Sequence, residues 1–316
     1  MNSYKLAYWG SGPISHFHVP ALLESGFVPI IAFSRVNSER LMHFGSHWNI
    51  PVSPNLSSFR ESAKSADAIV IALETSVTPV AISEIIDLGL PIFVEKPGGL
   101  HASDLSQFAL HRYQQKLFFA YNRRYYVGAS RMREFLRNNP SSFIQATFPD
   151  AIKTFNQFRI NGCHMIDFLQ FVSGDLILKG AWGGIESTGN GFMVQLKSKH
   201  GHNISLLINW GAPDNVSIKI AGGGRTILSK GFESIVEFDK IEIVEPSPEY
   251  PLRRYLPHKA MELAEPVTSH KPGFLAQALS FRDFLESGQH SSRDCDLSQA
   301  ISVLQIIDNI EKALIK

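Results

Sequence analysis

Short apolar runs alternate with longer helical patterns along the first 122 residues. The short runs predict strands, and a helix separates each strand from the next. This alternation is typical of a doubly wound parallel sheet that is covered by helices on both faces. The sequence therefore predicts an α/β domain over residues 1–122. The predicted strands cover residues 5–9, 27–33, 66–73, 92–94 and 117–120, and the predicted helices comprise one ending at Gly26, those over residues 38–48, 56–63 and 79–86, and one capped by Ser103.

The pattern changes in residues 123–316, where strand-like runs follow one another. Their turns carry Gly, Asn and Asp, which is typical of antiparallel hairpins. Gly222-Gly-Gly224 predicts a hairpin turn, with a phosphate-binding loop as the alternative. Residues 245–272 predict an extended connector, and helices over 273–285 and 296–314 are expected to pack back toward the first domain. The other predicted elements are helices over 127–138 and 160–172 and strands over 142–148, 176–183, 192–197, 204–210, 216–221, 226–228 and 235–244.

Composition excludes several classes of protein. The 316 residues exceed one typical domain, and 44% apolar with 19% charged residues supply two ordinary cores. The formal net charge of +1, without a run of basic residues, argues against a nucleic-acid partner. Two distant cysteines favour a reducing compartment. We expect a cytoplasmic protein with no membrane partner, because no signal-peptide pattern or membrane-spanning apolar run is present, and no metal site, because His16 and His18 lack a third ligand at useful spacing.

A glycine-rich turn follows the first predicted strand. In Gly10-Ser-Gly12-Pro13-Ile14-Ser15, Gly10 permits a tight turn and Gly12 allows backbone amides to approach a pyrophosphate. The following helix would present its positive end to that anion. Ser15 stands where a third Gly or Ala usually allows close helix packing, so an ordinary turn is the alternative. The strand–turn–helix context favours a Rossmann dinucleotide site with contacts from Gly10, Gly12, Pro13 and Ile14.

The second strand ends in Ser34-Arg35. Folds that prefer NAD place Asp or Glu here to bind the ribose hydroxyls. A hydroxyl and a guanidinium would instead bind a 2′-phosphate. The sequence therefore favours NADP over NAD as cofactor. Alternatively, Arg35 caps a solvated strand end or stacks on adenine.

The fourth strand ends abruptly in Glu95-Lys96-Pro97. Ligands bind at the carboxyl ends of strands in an open parallel sheet, so a Lys there is a candidate for catalysis. A cis peptide before Pro97 would turn Lys96 out of the strand direction. The alternative is a surface Lys paired with Glu95.

Four motifs together resemble the Gfo/Idh/MocA oxidoreductases: Gly10-Ser-Gly12, His18-Val-Pro-Ala-Leu22, Glu95-Lys96-Pro97 and Tyr121-Asn-Arg-Arg-Tyr125. The resemblance implies that Lys96 lies beside the nicotinamide and the substrate hydroxyl, with Glu95 and Pro97 shaping its turn. It implies cofactor contacts by the loop that carries Thr75, mostly through the backbone because Ser76 and Val80 stand where relatives have Pro and His. It implies substrate contacts at Asn122 and Arg123. It also implies a second, α+β domain over residues 123–316. That domain would carry a large open antiparallel sheet that binds substrate and joins subunits into a homodimer or homotetramer.

His164 is the second catalytic candidate. On a helix, His164 and Asp167 share a face, so the carboxylate can orient the imidazole. A packing role is the alternative. In the inositol-dehydrogenase branch, a His on this helix transfers the proton, and an Asp usually stands four residues earlier, where this chain has Ile160. Asn161 is a further candidate substrate contact.

These expectations converge on one reaction. The chain is expected to transfer a hydride reversibly between nicotinamide C4 and a carbinol carbon of a sugar, polyol or nucleotide-linked sugar. Lys96 and His164 would share proton transfer and the holding of oxygen. A short segment between residues 148 and 160 suggests a cleft open enough for a nucleotide-linked sugar. The alternatives are a catalytically silent dinucleotide-binding regulator and a reductase of a non-sugar substrate.

Overall fold

The structure is a computed structural model that describes residues 3–35, 38–151, 154–184 and 190–315. It divides into two compact units. The first comprises Met1–Tyr125 and Thr268–Asp308, and the second comprises Tyr126–Val267 and Asn309–Lys316. Residue 153, in the short segment expected to leave the cleft open, lies outside the described residues, as does Ile152.

The first unit is built on five parallel strands in the order β2-β1-β3-β4-β5. The predicted doubly wound parallel sheet is confirmed. The chain order reverses between β1 and β3, which is the point at which ligands bind in such sheets. The elements are β1 (Tyr4–Trp9), α1 (Ser15–Glu24), β2 (Phe27–Phe33), α2 (Ser38–Trp48), α3 (Leu56–Ala63), β3 (Ala68–Ile71), α4 (Thr78–Ile85), a 3₁₀ turn (Ile86–Leu88), β4 (Ile92–Val94), α5 (Ala102–Ser106) and β5 (Leu117–Phe119).

Ser15 at the third glycine position is accommodated by the core of the first unit. Ser15 is fully buried, and its side chain faces the hydroxyl of Tyr8 on β1. Burial raises the pKa of Tyr8 above its ordinary value. The two hydroxyls therefore lie close together between α1 and the sheet.

The second unit carries an eight-stranded sheet in the order β13-β12-β11-β10-β6-β9-β8-β7. Neighbours are antiparallel except β6 and β9, which pair in parallel. The expected large open sheet is confirmed, with that one parallel pair. The elements are α6 (Val127–Asn138), β6 (Phe143–Asp150), α7 (Phe155–Gln157), α8 (Cys163–Ser173), β7 (Leu176–Gly183), β8 (Gly191–Ser198), β9 (Asn203–Trp210), β10 (Ser217–Gly222), β11 (Arg225–Lys230), β12 (Ser234–Val244) and β13 (Arg254–Ala264).

Of three local predictions, the structure confirms one and contradicts two. The hairpin turn is confirmed, because Gly222 pairs with Arg225 and the two intervening glycines have positive φ. The extended connector is wrong, because residues 254–264 pair with β12 as a full strand. The Ser103 cap is also wrong: the N-cap of α5 lies two residues earlier, at His101, whose backbone amide donates to Oδ2 of Asp104 in a capping box.

Two helices close the chain, α9 (Phe274–Ser287) and α10 (Leu297–Leu314). Phe281 of α9 is fully buried and its ring lies within 5.5 Å of the rings of Phe27, Phe93 and Phe118. Helix α9 is therefore part of the core of the first unit. Of the helices in the described residues, none is both long and apolar enough to cross a membrane.

Candidate dinucleotide-binding and active site

The glycine loop between β1 and α1 has the shape that a pyrophosphate needs. Gly10 has φ of +140°, and a Cβ there would collide with the carbonyl of Ala72. A Cβ built on Gly12 meets nothing within 4 Å, so open space lies above that residue. In the described structure, the N-cap of α1, Ile14, has no side-chain hydrogen bond, and the first turn carries no acid. The loop fits the expected cofactor, because a side chain on Gly12 would fill the space that the phosphates require.

Arg35 follows the end of β2. Its Nη2 donates to Oε1 of Glu84 on α4 at 3.0 Å, and its Cζ lies 5.4 Å from the ring centroid of Trp9. Trp9 is 1% exposed and packs against Phe33, so it offers Arg35 a fixed platform. The sequence alone did not identify Glu84, since nothing in the helical pattern marks it apart from other exposed acids.

The loop after β3 carries Thr75, which is buried. Its geometry is held locally. The Oγ1 of Thr78 donates to the carbonyl of Glu74 at 3.0 Å, and the Oγ of Ser76 donates to the Glu74 carboxylate at 3.3 Å. These bonds fix the entry to α4 just beyond Thr75.

The end of β4 is anchored by a buried pair. The Glu95 amide donates to the carbonyl of Ile71 at 2.8 Å, which continues the sheet register by one residue. Nε2 of His18 on α1 donates to Oε2 of Glu95 at 2.8 Å, and both side chains are buried. The next peptide, between Lys96 and Pro97, is cis, as expected. Glu95 therefore pairs with His18, and Lys96 is half-buried directly after that anchor.

The pairing of His18 with Glu95 was not predicted from the sequence, in which His18 was considered as a metal ligand beside His16 and as part of a family motif. The sequence did contain a pattern that indicates a buried polar partner for His18. His18 lies on the same helical face as Ser15, Ala21 and Leu22, and all four are buried. A His on a buried face needs a polar partner, and the acid of the strand-end motif was the available one.

The Asn122–Tyr125 turn is tied to the residues before and after α9. Nδ2 of Asn122 donates to the carbonyl of Pro272 at 3.0 Å. Nη1 of Arg124, which is 2% exposed, donates to the carbonyl of Asp294 at 2.7 Å. The Tyr125 hydroxyl donates to Oδ1 of Asp294 at 2.7 Å. Arg123, between these anchored residues, is half-buried.

Asp294 accepts hydrogen bonds from two residues of the Asn122–Tyr125 turn, Arg124 and Tyr125. Burial raises the pKa of its carboxyl, but hydrogen bonds from Ser280 and Tyr125, together with the nearby His290 ring, outweigh burial and leave the pKa below its usual value. Burial, followed by the Asp294 charge, raises the pKa of Tyr125 well above its usual value. The hydrogen bond between Tyr125 and Asp294 thus joins a neutral phenol to an ionised carboxylate.

The second unit contains Asn161, His164 and Asp167. A π-helical turn, Phe158–Gly162, precedes α8 and includes Asn161, and a Cβ on Gly162 would collide with the Phe158 ring. The expected continuous helix from residue 160 is therefore interrupted. His164 and Asp167 are both buried and stand one turn apart on α8.

Four of the expected residues follow strands that end at one edge of the first sheet. Gly10, Arg35, Thr75 and Glu95 come after β1, β2, β3 and β4, respectively. Carboxyl ends of parallel strands share one edge, so topology brings the glycine loop, the cation and the strand-end motif to it. Asn161, His164 and Asp167 belong to the second unit. Within the described ranges, no group of three or more His, Cys, Asp or Glu side chains is arranged to hold a metal ion.

A family model described as an oxidoreductase family with an NAD-binding Rossmann fold, the Gfo/Idh/MocA family, matches residues 5–121. Residues 5–121 are therefore similar to this family. The match covers the glycine loop, Arg35 and the strand-end motif, so the resemblance is confirmed where those motifs lie. The first unit thus resembles the NAD-binding Rossmann domain of this oxidoreductase family.

Solved structures extend the likeness over the whole chain. A protein from Desulfitobacterium hafniense, provisionally assigned as an NADPH-dependent oxidoreductase, has a TM-score of 0.80 at 15% identity and covers 99% of this chain and 96% of its own. UDP-N-acetylglucosamine 3-dehydrogenase from Acidithiobacillus ferrooxidans has a TM-score of 0.78 at 14% identity, covering 99% and 98%. An Agrobacterium radiobacter oxidoreductase, solved with NAD+, L-tartaric acid and magnesium, has a TM-score of 0.78 at 15% identity, covering 100% and 97%.

At these identities the likeness establishes the fold alone. A search of curated proteins found no match.

Proposed function

We propose that this protein is an NADP-dependent oxidoreductase that transfers a hydride between the nicotinamide and a carbinol carbon of a sugar or sugar derivative. One observation carries the proposal: the glycine loop, Arg35 and the Glu95-Lys96-Pro97 strand end follow strands that terminate at one edge of an NAD-binding Rossmann sheet. When bound, the dinucleotide supplies C4 as the hydride donor or acceptor. All other steps fall to the side chains of the protein.

Lys96 and His164 are the proposed catalytic residues. Oxidation of a hydroxyl requires a group that takes its proton as the hydride leaves, and reduction requires a group that supplies it. Lys96 follows an anchored strand end, which fixes the origin of its side chain. Asp167, one turn from His164 on α8, is proposed to orient the imidazole. One of the two residues would transfer the proton and the other would hold the substrate oxygen.

The preference for NADP rests on Arg35. The acid that selects NAD in related folds is absent from the end of β2, and a cation supported by Trp9 stands there instead. A guanidinium binds a phosphate through several N–H groups at once. NAD is the alternative cofactor.

The proposed substrate class is a sugar, polyol or nucleotide-linked sugar. The relative from Acidithiobacillus ferrooxidans acts on a UDP-linked sugar, which supports this class. Asn161, Asn122 and Arg123 are proposed substrate contacts. For Asn122, one amide hydrogen already binds the carbonyl of Pro272, so its carbonyl oxygen is the atom proposed to face substrate.

A dinucleotide-binding regulator without turnover is the second candidate. It is favoured by Ile160, an apolar residue where the inositol-dehydrogenase branch usually has an acid. Such a protein would bind NADPH without oxidising it.

Nicotinamide absorbance with NADPH and a panel of free and UDP-linked keto-sugars separates the two candidates. Wild-type protein should consume NADPH with at least one keto-sugar. Lys96→Met should abolish turnover and retain NADPH binding, whereas Lys64→Met, which removes an exposed Lys paired with Glu61, should change neither. Binding without consumption across the panel would favour the regulator.

We also propose a cytoplasmic homodimer or homotetramer formed through the sheet of the second unit. Large apolar side chains are exposed along this sheet, including Phe143 at 64%, Met193 at 39% and Leu207 at 43%. Met193 and Leu207 are cross-strand partners on β8 and β9, so they form one contiguous apolar site.

A further inference from the structure

Arg35 has two partners in the first unit. Its ion pair with Glu84 joins the end of β2 to α4, with side chains 43% and 39% exposed. Its contact with the Trp9 ring joins the same guanidinium to the end of β1. Trp9 is itself fixed by ring contacts with Phe33 and Phe59 at 5.2 and 5.6 Å. The guanidinium is therefore held at a defined place between an aromatic platform and a carboxylate.

A guanidinium carries five N–H donors, and the bond to Glu84 uses Nη2. A 2′-phosphate that approaches Arg35 would seek the same kind of donor. Two anions at one cation repel each other, so the phosphate has to share the cation with Glu84 or displace it. The pair is half-exposed and hence weak enough to be displaced.

We propose that Glu84 sets the discrimination between 2′-phosphorylated and unphosphorylated dinucleotides, by holding Arg35 in an ion pair that the 2′-phosphate must share or displace. The inference rests on the proposed function, in which Arg35 binds the 2′-phosphate. Glu84 is a positioning residue, since it acts through Arg35.

The effect of the Arg35–Glu84 pair on cofactor choice depends on which element of the fold supplies the acid. In NAD-selective folds the acid stands at the end of β2 and excludes a phosphate directly. In this chain the acid comes from α4 and binds a cation at that strand end. Without a phosphate, Glu84 neutralises Arg35, so an unphosphorylated dinucleotide does not leave an unpaired cation beside its ribose. Glu84 thus weakens the preference for NADP.

The test is calorimetric titration of the full chain with NADPH and with NADH. Glu84→Gln removes the charge and keeps the size of the side chain. Asp87→Asn is the matched control. Asp87 lies three residues further along, in the 3₁₀ turn after α4, and its carboxylate pairs with Arg60 at 2.9 Å, so the variant makes the same charge change at a second Arg–acid pair. Arg35→Ala reports on the phosphate contact itself.

We expect Glu84→Gln to tighten NADPH binding about three- to tenfold, with NADH affinity changed less than about twofold. Asp87→Asn should leave the NADPH/NADH ratio unchanged, and Arg35→Ala should weaken NADPH at least about tenfold. If Arg35→Ala acts as expected but Glu84→Gln leaves the ratio unchanged or weakens NADPH, the role of Glu84 is overturned while the NADP proposal stands. If Arg35→Ala leaves the ratio unchanged, both fall.

Discussion

Replacing His18 by Ala tests whether the strand-end motif depends on its buried anchor. The substitution removes the donor at 2.8 Å from Oε2 of Glu95 and leaves that carboxylate, in a side chain 8% exposed, without this partner. Breaking one half of a buried pair costs about 3–5 kcal/mol. At about 2–4 °C per kcal/mol for a unit of this size, Tm should fall by about 6–20 °C.

Two further variants separate the charge from the packing. His18→Gln keeps an N–H donor and loses ring contacts with Phe93 and Phe274, each worth about 0.5–1.5 kcal/mol, so its cost should be smaller. Adding Glu95→Gln to His18→Ala removes the unpaired charge and should recover about 2 kcal/mol. His258→Ala breaks a half-exposed pair with Asp239 and should leave Tm nearly unchanged.

The assay is thermal and urea unfolding followed by circular dichroism, with NADPH oxidation as the functional measure. His18→Gln should retain kcat, because Lys96 keeps its anchored backbone. The reasoning is refuted if His18→Ala unfolds like wild-type protein, or if Glu95→Gln makes the double variant less stable than His18→Ala alone.

Three other predictions concern the cofactor loop, alkaline stability and assembly. Gly12→Val should abolish NADPH binding at unchanged Tm, because the space above Gly12 is open in the protein without cofactor. Gly10→Ala should lower Tm, because its Cβ would collide with the Ala72 carbonyl. Equal losses of Tm in the two variants would contradict these different roles of the two glycines. Tyr8→Phe should reduce the loss of stability above pH 10.0, because the raised pKa of Tyr8 keeps the native phenol neutral while the unfolded phenol ionises. The measurement is the urea midpoint of both proteins at about pH 9 and about pH 11. An equal fall of the midpoint in both proteins would refute the prediction. Leu207→Glu should shift light-scattering mass toward the monomer, and an unchanged mass would exclude β9 from the interface.

The first domain could be predicted from sequence because each of its elements has a local cause. Apolar runs such as residues 27–33 specify buried strands, and Gly10 is required by a positive φ that few other residues adopt. The helix and strand bounds of residues 27–63 agree with the structure for the same reason. The motif from Glu95 to Pro97 marked the strand end by its abrupt change from apolar to charged.

The sequence could not supply contacts between residues that are distant along the chain. His18 and Glu95 are 77 residues apart, and Arg35 and Glu84 are 49 apart, so neither pair has a local pattern. Residues 254–264 were predicted to be a connector because Pro257 and charged residues obscure the strand alternation, which an edge strand tolerates. The π-helical turn before His164 contains Gly162, which lies close against the Phe158 ring, and helical periodicity does not show that contact.

The most direct measurement for the account is nicotinamide absorbance during single turnover, with protein in excess over NADPH and a pool of free and UDP-linked keto-sugars. The account predicts that wild-type protein bleaches the reduced nicotinamide band in the presence of the pool, and that Lys96→Met binds NADPH without bleaching it. Equal bleaching by Lys96→Met would contradict the role of Lys96, and a band that persists in wild-type protein with the pool and with each sugar alone would contradict hydride transfer to this class of substrate.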